Sequence, residues 1–506
     1  MARSWRAPID KIWALVGAHA DADGLTAATG STAAAQHTVT ATAPWRSGTD
    51  AASLLRTLQA QNGEARADDV VMGQENEDAA DEAASRHYFV FSTAGKLVYA
   101  TGAEAWAVSQ TGVMHALVTL FAGEHDAGLQ EITLEAGGAP LRIAFLGEPP
   151  LYVACASSHK EPRSHLEAQL RRVHAAIVSL ASAARLERLF ERMPNFDLRG
   201  LIGPMHTYVD GVVADMHASP ALAFGALPIC PLPAAVRDGV AQACLEVPVE
   251  KRPKHLLYAL VLSEEALLVS LVHPRRHTPS PTDLALLTAM VRHGAQGPDD
   301  LWAPFCLPDF APRSFVYVYA TWLRQRASLV LVCGDQHGYA VARALRAELA
   351  ASPSFAALGE ALAMSPPLSA DALQIPGLGG FAFASRHLRQ CLCTRDASPT
   401  LLALYAQLLA SLRGDAERPA VGAYAAAARI AAPDALHRMP PVAVPLQLHL
   451  LRTSNKVLLG WRTASFELCM TVRPWLAKSA VADVANRVVA WIRERDASLF
   501  LAAKTW

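Results

Sequence analysis

The sequence predicts an α+β protein in which one plan, an antiparallel sheet flanked by helices, occurs three times. From Arg86 onward, short β-patterned runs and periodic helices follow in the order two strands, a helix, three strands, then helices. A related order returns near Leu256 and again after position 376. At 506 residues the chain is long enough for several cores, since domains run to roughly 100–200 residues each.

The first copy begins with the run YFVFS at Tyr88 and KLVYA at Lys96, joined through Thr93-Ala-Gly95 as a hairpin. Periodicity predicts a helix near Glu104–Phe121, then strands near 130–135, 141–146 and 151–156. In the following helix Leu166, Leu170, Val173, Ile177 and Leu180 repeat at steps of four and three, a continuous apolar face that must cover a sheet. A shorter helix, 186–192, stops before Met193-Pro194. This order resembles that of a longin domain, which implies a five-stranded antiparallel sheet with helices on its faces. The second copy follows a helical connector at 201–215 and the proline-punctuated stretch 227–233. Its strands are Leu256–Ser263, 266–272, 315–320 and 329–333, with helices at 282–292 and 340–349. The third has strands at 381–385 and 388–394, a helix at 400–412, strands at 446–452, 457–462 and 466–472, and a closing helix at 478–495. In its last strand Phe466, Leu468, Met470 and Val472 alternate with Glu467, Cys469 and Thr471, which predicts one buried face. The organisation expected is an arm over 1–85, longin-like domains over 86–203, 204–350 and 376–506, a linker at 351–375 and an Ala/Pro-rich insert at 414–440.

The arm is rich in Ala, Thr, Asp and Gly and ends in Glu75, Glu77, Asp78, Asp81 and Glu82 without an intervening base, a composition expected to stay disordered. Within it Trp5, Ile9, Ile12, Trp13 and Val16 recur at helical spacing, either an amphipathic helix for a membrane or partner or a marginal helix without a role. Lys+Arg is 45 against Asp+Glu 46, so no overall field draws the chain onto nucleic acid. No apolar run reaches the roughly 20 residues a membrane span needs, and the N-terminus lacks the pattern of a secretory signal.

Chemistry is sparse. The sequence holds no GxxxxGK[ST], GxGxxG, GxSxG or HExxH. Its eight cysteines are scattered and read as buried thiols. Cys391 and Cys393 share one strand face, yet no matching His or Cys pair lies nearby in sequence, so neither a metal nor a cofactor is expected. His273 and His277 flank Pro274-Arg275-Arg276 in a loop that either binds a phosphate or acidic lipid headgroup through Arg275 and Arg276 or is simply solvated. Asp335-Gln-His337 after a strand is either a catalytic position or a helix N-cap.

Several segments carry a resemblance. Trp302-Ala-Pro-Phe-Cys-Leu-Pro-Asp-Phe310 resembles the W-x-P-x-C-L-P-x-F segment of the vacuolar fusion family named for monensin sensitivity, the Mon subunit of the Mon-Ccz complex. Gly112-Val-Met114 with Ala116-Leu-Val118 resembles that family's G-V-M-x-A-L-V, Phe196-Asp-Leu-Arg-Gly-Leu-Ile202 its Y-D-L-R-R-L-L, and Leu232-Pro-Ala-Ala-Val-Arg-Asp238 its L-x-x-A-V-R-D. Ile375-Pro-Gly-Leu378 with Phe381 and Ser385 resembles I-P-D-L-x-x-F-x-x-x-S; Leu459-Gly-Trp461 with Thr463 and Phe466-Glu-Leu468 resembles L-x-W-x-T-x-x-F-E-L-Y. Trp491-Ile-Arg-Glu-Arg-Asp with Leu499-Phe500 is similar to the closing W-I-R-K-E-E-D-x-L-F. The segments are collinear over 86–506, with Cys469 where the family usually carries Tyr, and with the arm and the insert departing from the pattern.

The resemblance implies three longin domains, a partner Ccz-type longin subunit, and guanine-nucleotide exchange on a late-endosomal or vacuolar Rab GTPase, peripherally on late-endosome and vacuole membranes. An early-endosomal Rab and a phosphoinositide membrane are further implied partners. An exchange factor binds the nucleotide-free GTPase more tightly than the loaded one and needs a shaped surface rather than a catalytic triad. The alternative is a longin trafficking adaptor that scaffolds without acting on nucleotide. Because the family docks the GTPase across paired first domains, the expected contacts are Trp106, Gln110 and His115 on the first helix, over a buried face of Val113, Leu117 and Leu120. Trp302 is expected either as an anchor in a partner's pocket or as a plug over its own core.

Overall fold

The computed structural model describes residues 38–41, 86–121, 129–136, 139–263, 266–272, 279–294, 300–324, 326–365, 367–395, 398–414, 448–453, 456–501 and 504–505. The helical pattern at 5–16, the acidic run at 75–82, the loop at 273–277 with Arg275 and Arg276, and all of the 414–440 insert but Gly414 lie outside them. The chain divides into two compact units, one ending at His174 and completed by Leu186–His206, the other formed by Ala175–Arg185 and Thr207 onward.

The first unit holds β1 (Thr38–Ala41), β2 (Arg86–Ser92), β3 (Leu97–Ala100), α1 (Glu104–Phe121), β4 (Glu131–Ala136), β5 (Ala139–Glu148) and β6 (Leu151–Ser157). It also contains the first part of α2 (Arg163–Ala181), and α3 (Ala183–Arg192) belongs mostly to it. The strand order is β1-β4-β5-β6-β2-β3. The five expected strands pair antiparallel, and a sixth, unforeseen, comes from within the arm: β1 runs parallel to β4, Thr38 opposite Glu131. On one face Phe89, Phe91, Ile143, Phe145 and Ala154 pack with Val113, Met114 and Leu117 of α1. Residues of opposite parity, Tyr88, Val90, Val153 and Cys155, are buried too, and Tyr88 reaches α2 through its hydroxyl, 2.6 Å from Gln169 Oε1. Both faces are thus covered by a helix, which is why these strands read as continuous apolar runs.

The second unit holds two sheets. α4 (His206–Ala218), β7 (Leu227–Pro228) and α5 (Ala234–Glu246) lead into β8 (Leu256–Ser263) and β9 (Leu267–Val272). Next come α6 (Pro281–Ala289), β10 (Leu301–Phe305), β11 (Val316–Arg324), β12 (Ala327–Cys333), α7 (Tyr339–Ala350) and α8 (Pro353–Met364). The third copy runs through β13 (Leu378–Ser385), β14 (Gln390–Cys393), α9 (Pro399–Arg413), β15 (Leu448–Arg452), β16 (Val457–Arg462), β17 (Phe466–Val472), α10 (Lys478–Glu494), α11 (Asp496–Leu499) and β18 (Lys504–Thr505). The orders are β10-β11-β12-β8-β9-β18 and β15-β16-β17-β13-β14-β7. In all three sheets the third, fourth and fifth strands of the copy precede its first and second, and one further strand is borrowed. The borrowing is reciprocal here: β7 precedes the second copy yet pairs parallel with β14 of the third, and β18 follows the third yet pairs parallel with β9 of the second.

Four local expectations are corrected. The segment 351–375, expected as a linker, carries α8, whose Phe355, Leu358 and Leu362 are buried in the second copy's core. β10 supplies a strand that the sequence hid, because Pro304 sits within it, as proline does on sheet edges. β17 is buried on both faces; Glu467, 3% exposed, is held by Arg413 at 2.6 Å and Arg462 at 3.2 Å. Asp335 caps nothing: α7 begins after Gly338, and Asp335 Oδ1 instead accepts from the His337 N–H in a local turn. Elsewhere the end signals work as their chemistry dictates, Ser280 and Ser398 capping α6 and α9 before a proline, and Gly414 at φ +81° ending α9.

Candidate functional site

The helix α1 presents its two sides very differently. After Glu104 it contains no Asp, Glu, Lys or Arg. Its inner side buries Ala107, Gln110, Thr111, Val113, Met114, Leu117 and Val118, so Val113 and Leu117 are core residues as expected. Its outer side, by the same 3.6-residue period, is the row Ala105, Val108, Ser109, Gly112 and Thr119, all exposed, with Ala116 half-buried.

Two of the residues expected on the working surface face inward. Trp106 leans on the sheet, 4.8 Å from the His87 ring and 5.5 Å from Phe89, with its indole nitrogen buried. Gln110 is 6% exposed and its Oε1 is buried without a hydrogen bond. The reason is phase: residues 106, 110, 113 and 117 form one stripe, and the sheet claims it. His115 lies at the edge between the two sides. Its Nε2 sits 3.0 Å from the Thr93 carbonyl, and its ring fills the space over Gly95, where any Cβ would come within 2.9 Å. Gly95 has φ +76°, so the hairpin turn needs glycine twice over, for its backbone and for His115.

The start of α1 is fixed by the Phe196-Asp-Leu-Arg segment. Arg199 donates to Glu104 at 2.8 Å and to Asp197 at 2.9 Å, and it holds the Asp197 carboxyl below its ordinary range. These groups are exposed, so the bridge places α1 more than it stabilises the fold. Behind the sheet lies a buried network that sequence reasoning missed. Glu161 accepts from Arg86 Nε at 2.8 Å, Ser157 Oγ at 2.9 Å and Gln169 Nε2 at 2.8 Å. Burial alone would raise its pKa, but the Arg86 guanidinium, with help from His165 and Ser157, brings it down to about 2. One signal for it was legible, a charged residue just before Pro162 and a helix.

Trp302 belongs to the second unit. On β10 it stacks against Tyr317 at 5.8 Å and meets the edge of Tyr339 at 6.1 Å, packed against the second copy's core. Of the two expectations for it, this is the plug. The loop that follows β10 is held by Asp283, fully buried at the start of α6, whose Oδ1 accepts from the Asp309 N–H at 3.1 Å. Desolvation pushes the Asp283 carboxyl up to about 6. Cys391 is buried and Cys393 packs beside the same cluster. Among the described residues no group of three His, Cys, Asp or Glu is placed to hold a metal ion.

Comparison with known proteins assigns this architecture. Residues 86–211 match the first longin domain of FUZ, MON1 and HPS1, 254–350 the second and 377–496 the third. The vacuolar fusion protein MON1 of Cryptococcus neoformans is 29% identical over 424 residues, 82% of this chain and 64% of that protein. MON1 homolog A of Gallus gallus is 28% identical over 448 residues, 86% of this chain and 76% of its own length. MON1 homolog B of Homo sapiens is 29% identical over 442 residues, with 82% and 75% covered. The chain thus spans less than two thirds of the fungal relative. With three longin domains in the family's order and MON1 proteins aligned across most of its length, the chain belongs to the longin family of FUZ, MON1 and HPS1, on its MON1 side.

Proposed function

We propose that this chain is one subunit of a heterodimeric guanine-nucleotide exchange factor, pairing with a Ccz-type longin subunit and acting on a late-endosomal or vacuolar Rab GTPase during membrane fusion. The relatives' names, vacuolar fusion proteins, support the process. The observation that carries the pairing is the outer side of α1, a solvent-facing row of small uncharged residues with Val108 49% exposed. Such a row gives up little side-chain entropy and little charge solvation when a second protein covers it. Exchange by differential binding asks nothing more of the chain than a surface that fits the nucleotide-free GTPase. None of the described helices is long and apolar enough to cross a membrane, so attachment to vacuolar or endosomal membranes is read as peripheral.

The test is release of a fluorescent guanine nucleotide from a panel of Rabs, with and without a co-expressed Ccz-type partner. Accelerated release from one late-endosomal Rab, only when both subunits are present, is the expected result. Co-purification without acceleration of any Rab would make the chain an adaptor, and failure to pair at all would remove both readings.

A further inference from the structure

A cleft of about 400 Å³ opens in the second unit between α5, β9 and the segment 496–501 that begins with α11. Its lining combines apolar side chains such as Leu268 and Phe500 with two buried polar residues, Arg237 and Ser270, each 6% exposed. Arg237 is a cation whose hydrogen bonds all go to backbone carbonyls: Phe500 at 3.1 Å, Leu499 at 3.3 Å, Cys230 at 3.2 Å, and Ser498. Its Nε is buried without a hydrogen bond, and so is Ser270 Oγ. These two unpartnered donors belong to residues that line the cleft, one of them a guanidinium, and together they suit an oxyanion that their side chains turn to meet. Asp238 and Asp496, also lining the cleft but exposed, oppose a doubly charged ligand.

We propose that this cleft binds a singly charged carboxylate carried on a short apolar body, its oxygens accepting from Arg237 Nε–H and Ser270 Oγ–H. The apolar body lies against Leu268 and Phe500. Because these groups come from α5, β9 and the α11 segment 496–501, the ligand ties the second copy to the end of the third. The inference is independent of the exchange reading, since it needs no GTPase.

Saturation-transfer NMR and thermal scans of the full chain, together with any partner that co-purifies, test it with three probes: octanoate, octan-1-ol and inorganic phosphate. Octanoate is expected to bind saturably, near or below about 1 mM, and to raise the melting temperature, with the other two at least about tenfold weaker. Ser270→Val keeps a strand-favouring residue and should weaken octanoate about tenfold; Ala497→Trp, at an exposed position, should fill the cleft and abolish binding. Equal binding of octanol reduces the site to a greasy surface, and equal binding of phosphate reduces it to a plain anion site; either overturns the proposal. So does unchanged affinity in Ser270→Val, or no saturable binding by the wild type.

Discussion

Replacing Asp283 by Asn should stabilise the second unit at neutral pH, although it removes a charge from the start of a helix, where negative charge is ordinarily welcome. The magnitude follows from its site. The carboxyl is fully buried, one oxygen accepts a backbone N–H and the other has no hydrogen bond. Desolvation, with some repulsion from Asp309, raises the pKa from 3.8 to about 6. A carboxyl whose folded pKa is raised contributes stability that is fully present below about pH 4 and is lost as pH rises through about 6. That rise corresponds to about 3 kcal/mol at pH 7.5, of which roughly half is lost between pH 5 and 7.5. Asn keeps an oxygen for the Asp309 N–H and cannot ionise, so Asp283→Asn should gain on the order of 2 kcal/mol at pH 7.5, with its stability nearly level over that interval. In thermal unfolding followed by circular dichroism that is a rise of about 4–8 °C at pH 7.5, and a smaller one at pH 5. If Asp283→Asn instead lowers the midpoint equally at both pH values, the carboxylate is a net stabilising cap and the desolvation argument is wrong.

Other outcomes follow from the same reasoning. Gly112→Asp, on the outer row of α1, should leave the circular dichroism unchanged while abolishing co-elution with the partner and with it nucleotide release; normal co-elution would move the search for the interface elsewhere. Trp106→Ala should cost about 2 kcal/mol in denaturant unfolding, because the ring is half-buried on Phe89 and His87, and Leu117→Asp should prevent the first domain from folding. Glu161→Gln leaves Arg86 buried without its counter-ion and should cost about 3–5 kcal/mol at pH 7. Because the folded pKa of Glu161 is depressed, its contribution is present above about pH 4.5 and is lost as pH falls through about 2. Gly211→Ala places a Cβ 2.1 Å from the His293 ring and should cost about 1–3 kcal/mol, recovered in the double variant with His293→Ala.

What the sequence made legible was whatever its own neighbours decide. The period of Leu166, Leu170, Val173 and Ile177 and the hairpin at Gly95 depend on adjacent residues, and both are found where expected. The borrowed strands were illegible because two to four residues carry no period and their partners are remote: β7 meets β14 more than 160 positions later. β10 was hidden by its proline. The surface residues failed for a different reason. Trp106 and Gln110 were expected outward as polar or amphipathic positions on the helix that the family's docking mode implicates, whereas the stripe they share with Val113 and Leu117 is the better guide to their direction. A row of alanine, serine, glycine and threonine announces nothing in one dimension; it becomes a surface only when the helix is seen lying on its sheet.

The reciprocal exchange of β7 and β18 sets a schedule for synthesis. Leu271 and its partner Lys504 are 233 positions apart, so on the ribosome the Leu271–Val272 end of the second sheet's edge waits unfilled until nearly all of the third has emerged, while Ile229 bridges Leu267 further along the same strand. β7, meanwhile, is made early and has no β14 to join. The two domains therefore finish together, after translation has passed both. A stop codon or a protease cut between α10 and β18 would strip the second domain of an edge strand although every residue of its own segment is intact.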